Sequence, residues 1–138
     1  MIPFHAAVWI DHDQAKIFHV DEHGFDESSI HAPNKHVRRD LAAAEQYYHQ
    51  VAAALASAGE IFVVGPGAAK LQFINHLNRH DRAVDDKIVG VETIDDPTDR
   101  QLVGYIRKYF HAEDRMRGLV PTFRHAKGGP AGKEIEKP

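Results

Sequence analysis

The sequence predicts an α/β domain of three layers, with helices on both faces of a mixed sheet. Three observations carry that expectation. Residues 6–11 and 15–20 are short apolar runs separated by Asp11-His12-Asp13-Gln14, a string of turn formers, so they read as an antiparallel hairpin. Glu60-Ile61-Phe62-Val63-Val64 is a continuous apolar, β-branched run, the pattern of a strand covered on both faces. Around these strands lie longer stretches with apolar residues at helical spacing, which supply the covering layers.

The elements follow in chain order. Phe25–His31 is a weakly apolar third strand ended by Pro33-Asn34. Asp40 caps a long helix whose predicted buried face is Leu41, Ala44, Tyr48, Val51, Leu55 and Ala58, with Gly59 at the expected C-terminal stop. The tight turn Gly65-Pro66-Gly67 leads from the apolar strand into a second helix, about residues 68–79, with Leu71, Ile74 and Leu77 facing inward. Residues 87–94 form the next strand. Asp96 as N-cap, Pro97 at the first helical position and Asp99 in the first turn open a third helix. Leu102, Val103, Ile106, Tyr109 and Phe110 are its inward positions, and Gly118 ends it. The expected order is β-β-β-α-β-α-β-α, compatible with a ribonuclease-H-like architecture. Residues 1–118 form one domain, and residues 119–138 read as a flexible, basic tail containing Gly and Pro.

A length of 138 residues suits a single domain able to bury a core without staples. Hydrophobic residues are 43% and charged residues 27%, a globular balance. Cysteine is absent, which excludes disulfide scaffolds, thiolate nucleophiles, iron–sulfur clusters and thiolate zinc sites. No apolar run is long enough to span a bilayer and no signal peptide is visible, so the expectation is a cytoplasmic protein without membrane contact. The net charge is −3, unevenly spread. Residues 1–99 hold 8 basic and 16 acidic side chains, a net of −8, whereas residues 100–138 hold 9 and 4, a net of +5. A basic C-terminal third suits a polyanion, and suits equally well a solvated helix and tail.

Several constellations are candidates for chemistry, each with an ordinary alternative. Gly65, Gly67 and Lys70, between a strand and a helix, suit an anion-binding loop. They lack the spacing of a Walker A or dinucleotide fingerprint, and glycine also serves simple turn geometry. Lys35, His36, Arg38 and Arg39 form a basic loop before the long helix, suited to phosphate contact or to plain solvation. Asp11, with Asp95 or Asp96, is the candidate carboxylate set for two Mg²⁺ ions in a nuclease or phosphoesterase. Asp13 and Asp99 stand close by in sequence, and turn formation and helix capping account for all of these residues. His76 and His80 have chelating i, i+4 spacing with Asp81 adjacent, but read more simply as a pair on a solvated helix face. No cofactor and no resident metal is expected.

The residues also resemble a known family. Ile61-Phe62-Val63-Val64-Gly65-Pro66-Gly67-Ala68-Ala69-Lys70, followed by Phe73-Ile74-Asn75-His76-Leu77, looks like the strand–GPG–helix segment of the middle domain of Pelota and the archaeal and eukaryotic class-1 release factors. The hairpin Val8-Trp9-Ile10-Asp11 with Ala15-Lys16-Ile17-Phe18 resembles the first hairpin of that domain. Residues 89–99 with 105–110 look like a single-domain bacterial group of translational machinery proteins. The resemblance spans about residues 5–111. It implies a three-layer domain of the translational-machinery type. In release factors the loop before the long helix carries the GGQ motif for peptide release. The matching loop here, residues 33–40, holds no GGQ, and Gly128-Gly129-Pro130 has proline in place of glutamine. Pelota also lacks GGQ and rescues stalled ribosomes without hydrolysis.

The resulting expectation is a non-catalytic protein of translation, binding the ribosome or structured RNA through Lys35, His36, Arg38 and Arg39, with Arg115, Arg117, Arg124 and Lys127 of the C-terminal region in support. Two other classes stay open. One is the metal-dependent nuclease on Asp11 and Asp95 or Asp96. The other is a homo-oligomeric adaptor whose tail packs on a neighbouring copy.

Overall fold

In the computed structural model, β1 (His5–Ile10), β2 (Gln14–Val20) and β3 (Phe25–His31) are followed by α1 (Leu41–Leu55), β4 (Glu60–Gly65), α2 (Ala69–His80), α3 (Arg82–Asp85), β5 (Ile88–Thr93) and α4 (Asp99–Leu119). The structure describes residues 4–21, 23–33 and 41–119, with side chains to residue 111. Asp40 and Lys35, His36, Arg38 and Arg39 of the basic loop lie outside the described residues, as do residues 120–138.

The turns explain why the first three strands form a meander. Asp11 Oδ1 accepts hydrogen bonds from the backbone N–H groups of Asp13 (2.8 Å) and Gln14 (2.9 Å), closing the β1–β2 turn. Asp21 does the same for His23 and Gly24 at the β2–β3 turn. β1 and β2 then pair antiparallel from His5–Val20 to Ile10–Ala15, and β2 pairs antiparallel with β3. β4 enters on the other side of β1 and pairs parallel with it, and β5 adds in parallel to β4. The sheet order is β3-β2-β1-β4-β5.

β4 has a parallel neighbour on each side, and all six of its residues are buried. Its side chains alternate between two separate cores. Ile61 and Val63 join Val8, Ile10 and Ile17 beneath α1 and α2, against Tyr47, Val51, Leu55, Phe73 and Leu77. Phe62 and Val64 join Ala7, Trp9 and Phe18 beneath α4, against Leu102, Val103, Ile106 and Phe110. The expected three-layer α/β/α arrangement with a mixed sheet is therefore correct. Each fully buried Phe or Leu contributes about 1.5–3 kcal/mol of transfer free energy.

On the α4 side the packing is tight. The Tyr109 ring lies parallel to Phe62, with centroids 3.8 Å apart, and its hydroxyl donates to the Val89 carbonyl at 2.9 Å. The hydroxyl end of Tyr109 occupies the space that a Cβ on residue 90 would need, so Gly90 is the residue that lets the ring reach the sheet.

Several details differ from expectation: a short helix, α3, intervenes between α2 and β5, and α1 stops at Leu55, before Gly59. Leu41 and Leu71 are 70% and 58% exposed instead of facing inward. On α2 the four-residue steps Ala69, Phe73 and Leu77 define the buried stripe, which leaves Leu71 on the far side. On α1 the stripe is Ala43, Tyr47, Tyr48, Val51, Ala52 and Leu55, with Ala44 at its margin and Ala58 buried just beyond the helix. The cap of α4 is Thr98, not Asp96. The backbone N–H of Thr98 donates to Gln101 Oε1 (2.9 Å) and that of Gln101 to Thr98 Oγ1 (3.1 Å), a reciprocal capping box that outcompetes the Asp96-Pro97 start. The helix also continues through Gly118 to Leu119.

Candidate functional site

β1, β3, β4 and β5 all run in the same direction, so their C-terminal ends form one edge of the sheet. Ligands in open α/β sheets bind beyond that edge. Here it gathers the Asp11–Asp13 turn, the Gly65-Pro66-Gly67 turn and the 94–98 connection. β3 ends at the same edge, with His31 opposite Gln14, and the Ala32 N–H donates to the Asp13 carbonyl at 2.8 Å.

Gly65 has φ 152° and Gly67 has φ 59°, conformations that side-chain-bearing residues rarely adopt. A Cβ on residue 65 would also run into the Ile10 carbonyl oxygen, so the turn needs glycine for its path over β1. Lys70, from the first turn of α2, folds back and donates from Nζ to the Gly67 carbonyl at 2.6 Å. Its side chain is buried, and that desolvation lowers its pKa, opposed by the charge of Asp95. The ammonium therefore closes its own turn. No side chain caps the N-terminus of α2.

The candidate carboxylates are occupied separately. Asp11 is committed to its turn, while its carbonyl accepts from the Tyr47 hydroxyl at 2.9 Å. Asp95 is exposed, and its carbonyl accepts from Trp9 Nε1 at 3.2 Å. Asp96 is exposed beside it. Asp99 pairs with Lys16 at 3.0 Å. Among the described residues, these carboxylates do not make a set of three ligand atoms close enough to share an ion.

The group that does come together is His49, His76 and Asp81, whose ligand atoms all lie within 4.8 Å of one another. Asp81 Oδ2 is 3.1 Å from His49 Nδ1 and 2.8 Å from His76 Nε2. Contrary to the solvated-face reading, His76 is only 3% exposed; His80 next to it on the helix does face solvent. Burial pulls the His76 imidazole below the usual histidine range, against the stabilising hydrogen bond and charge of Asp81. Partial burial pushes the Asp81 carboxyl up, but hydrogen bonds and charge from His49 and His76 hold it below its usual range on balance. His49 belongs to α1, and no spacing in the sequence links it to α2. The contact of Tyr48 with Phe73, ring centroids 5.8 Å apart, brings the helices together and His49 with them.

No family model matches the chain, and no curated protein matches it in sequence. Solved structures do. Pelota of Archaeoglobus fulgidus superposes on 86% of this chain with a TM-score of 0.63 and 18% identity. Pelota of Thermoplasma acidophilum covers 77% with a TM-score of 0.59 and 21% identity. The archaeal translation termination factor aRF1 covers 83% with a TM-score of 0.55 and 15% identity. The fold is that of Pelota and aRF1. The chain spans about a third of those proteins, from 32% to 39% of their length. On this release-factor-like fold, the sheet edge with the Gly65-Pro66-Gly67 turn and the α1–α2 histidine cluster are two distinct places. Among the described residues, no helix is long and apolar enough to cross a membrane.

Proposed function

We propose that this chain is a non-catalytic, ribosome- or RNA-associated protein of translation, acting in the cytoplasm. The observation that supports it is the likeness of its fold to Pelota and to a translation termination factor. The contact is made by Lys35, His36, Arg38 and Arg39, which follow β3 in the chain. The Gly65-Pro66-Gly67 turn is the less suited of the two, because its lysine is withdrawn onto Gly67. The described part of the edge presents Asp95 and Asp96, so attraction to phosphate depends on the basic segment. Binding is then largely electrostatic and salt-sensitive.

The test is sedimentation of the protein with cell lysate through a sucrose gradient at low and moderate salt. Co-migration with ribosomal particles at low salt, weakened by salt and by Arg38→Ala with Arg39→Ala, is the expected result. With a defined RNA, removal of one phosphate-contacting arginine lowers the salt slope by about one unit. Protein that stays at the top of the gradient under both conditions rules out stable ribosome association.

A further inference from the structure

We propose that His49, His76 and Asp81 form a binding site for one divalent transition-metal ion of the Zn²⁺ class, clamping α1 to α2. The chemistry of the donors selects the class. Two imidazoles and one carboxylate suit Zn²⁺, Co²⁺ or Ni²⁺, whereas Mg²⁺ and Ca²⁺ prefer oxygen ligands alone.

The spacing fits. Ligand atoms about 2.0–2.1 Å from a tetrahedral centre stand roughly 3.3 Å apart. The two pairs that meet at Asp81 Oδ2 are 3.1 and 2.8 Å. Moving the donors apart by a few tenths of an ångström, as the shared hydrogen bonds give way to the ion, makes the room. The site is also held in place. His76 is buried against Tyr48, with ring centroids 5.9 Å apart, and Asp81 ends α2 with its N–H donating to the Leu77 carbonyl at 2.9 Å. The Nδ1 atom of His76 is buried without a hydrogen-bond partner, so Nε2 is the nitrogen that engages the cluster. Metal binding requires neutral imidazole and ionised carboxylate. With Nε2 on the ion, the His76 proton sits on Nδ1.

The site is open on one side. His49 is 67% exposed, which gives the ion an entry path and leaves the fourth position to water. At that rim Glu45 lies 3.5 Å from His80, whose ring is 5.1 Å from that of His76. The inference is independent of the proposed role in translation, because none of these residues belongs to the sheet edge.

The experiment uses the untagged full chain, stripped with chelator, and titrates it with Co²⁺ and Zn²⁺ near neutral pH. The readouts are the visible d–d absorption of Co²⁺, titration calorimetry and thermal melting. One equivalent of Co²⁺ should give a spectrum that Zn²⁺ abolishes, and either ion should raise the melting temperature. His49→Ala changes an exposed side chain and leaves the fold intact, and it should weaken binding on the order of 100-fold or more. Asp81→Asn should also weaken it, and His23→Ala, at a distant turn, should have no effect. Absence of stoichiometric binding by the wild type overturns the proposal. So does a His49→Ala variant that binds as the wild type does, or a His23→Ala variant that loses affinity equally.

Discussion

Three tyrosine hydroxyls in this molecule each meet a separate acceptor. Tyr47 sends its hydroxyl to the Asp11 carbonyl, Tyr48 reaches Gln72, and Tyr105 donates to Glu92. Burial pushes all three phenols up; the Tyr105 hydroxyl, helped by its bond to the Glu92 carboxylate, is pushed up to about 12. A phenol whose pKa is raised by folding contributes stability below its unfolded value, near 10, and loses it as pH rises through the folded value. The urea midpoint should therefore fall between pH 10 and 12, and Tyr105→Phe should flatten part of that fall. Phenolate absorbance that rises identically in folded and unfolded protein would contradict this assignment. At this same scale the candidate site was only half legible. His76 and His80 are on one helix and Asp81 directly follows it, so their spacing is visible in the chain. His49 is visible only once Tyr48 has packed on Phe73, because tertiary contact, not spacing, brings it to the cluster.

Elements obey local chemistry where that chemistry is strong. The strands were legible because alternation and Asx turns are encoded within a few residues, and β4 because an apolar run with parallel neighbours needs no polar face. The helix starts and faces were less so. Asp96-Pro97 and Thr98-x-x-Gln101 are both valid start signals, and the reciprocal pair of hydrogen bonds decides for the second. Leu41 and Leu71 look like core residues in one dimension, but the sheet selects the stripe that carries Tyr47 on α1 and Phe73 on α2. Thr98→Ala should cost about 1 kcal/mol of stability, measured by denaturant unfolding, while Asp96→Ala costs little. Gly90→Ala should cost about 1–3 kcal/mol by forcing Tyr109 off the sheet. The same change made in Tyr109→Phe should cost less, since the hydroxyl is the nearest atom in the way and only the milder contact with Cζ remains. Equal costs in the two backgrounds would remove Tyr109 as the reason for the glycine.

The whole molecule is organised around β1, which joins a local unit to a distant one. On one side it pairs with β2 through a short turn; on the other it pairs with β4 in a register that sets His5 against Glu60. β2, β3 and α1 lie between those partners in the chain. The α/β class and mixed sheet were readable because both kinds of strand are present, local hairpin and isolated buried run. The arrangement has a kinetic consequence. The β1–β2 hairpin can form on a microsecond timescale, in the range of 1–10 μs. The β1–β4 seam must first close a long loop, and no contact compensates that entropy until the strands meet. Closing this seam is then the slow event, and the rate of folding depends on it. In stopped-flow refolding, Val63→Ala on β4 should slow folding, whereas Ile30→Ala on the outer strand should mainly quicken unfolding. A Val63→Ala variant that folds at the wild-type rate would place the barrier elsewhere. With the seam still open, the edge of β4 that faces β1 is an unpaired, apolar one, so the interval before closure is when this chain is most exposed to self-association.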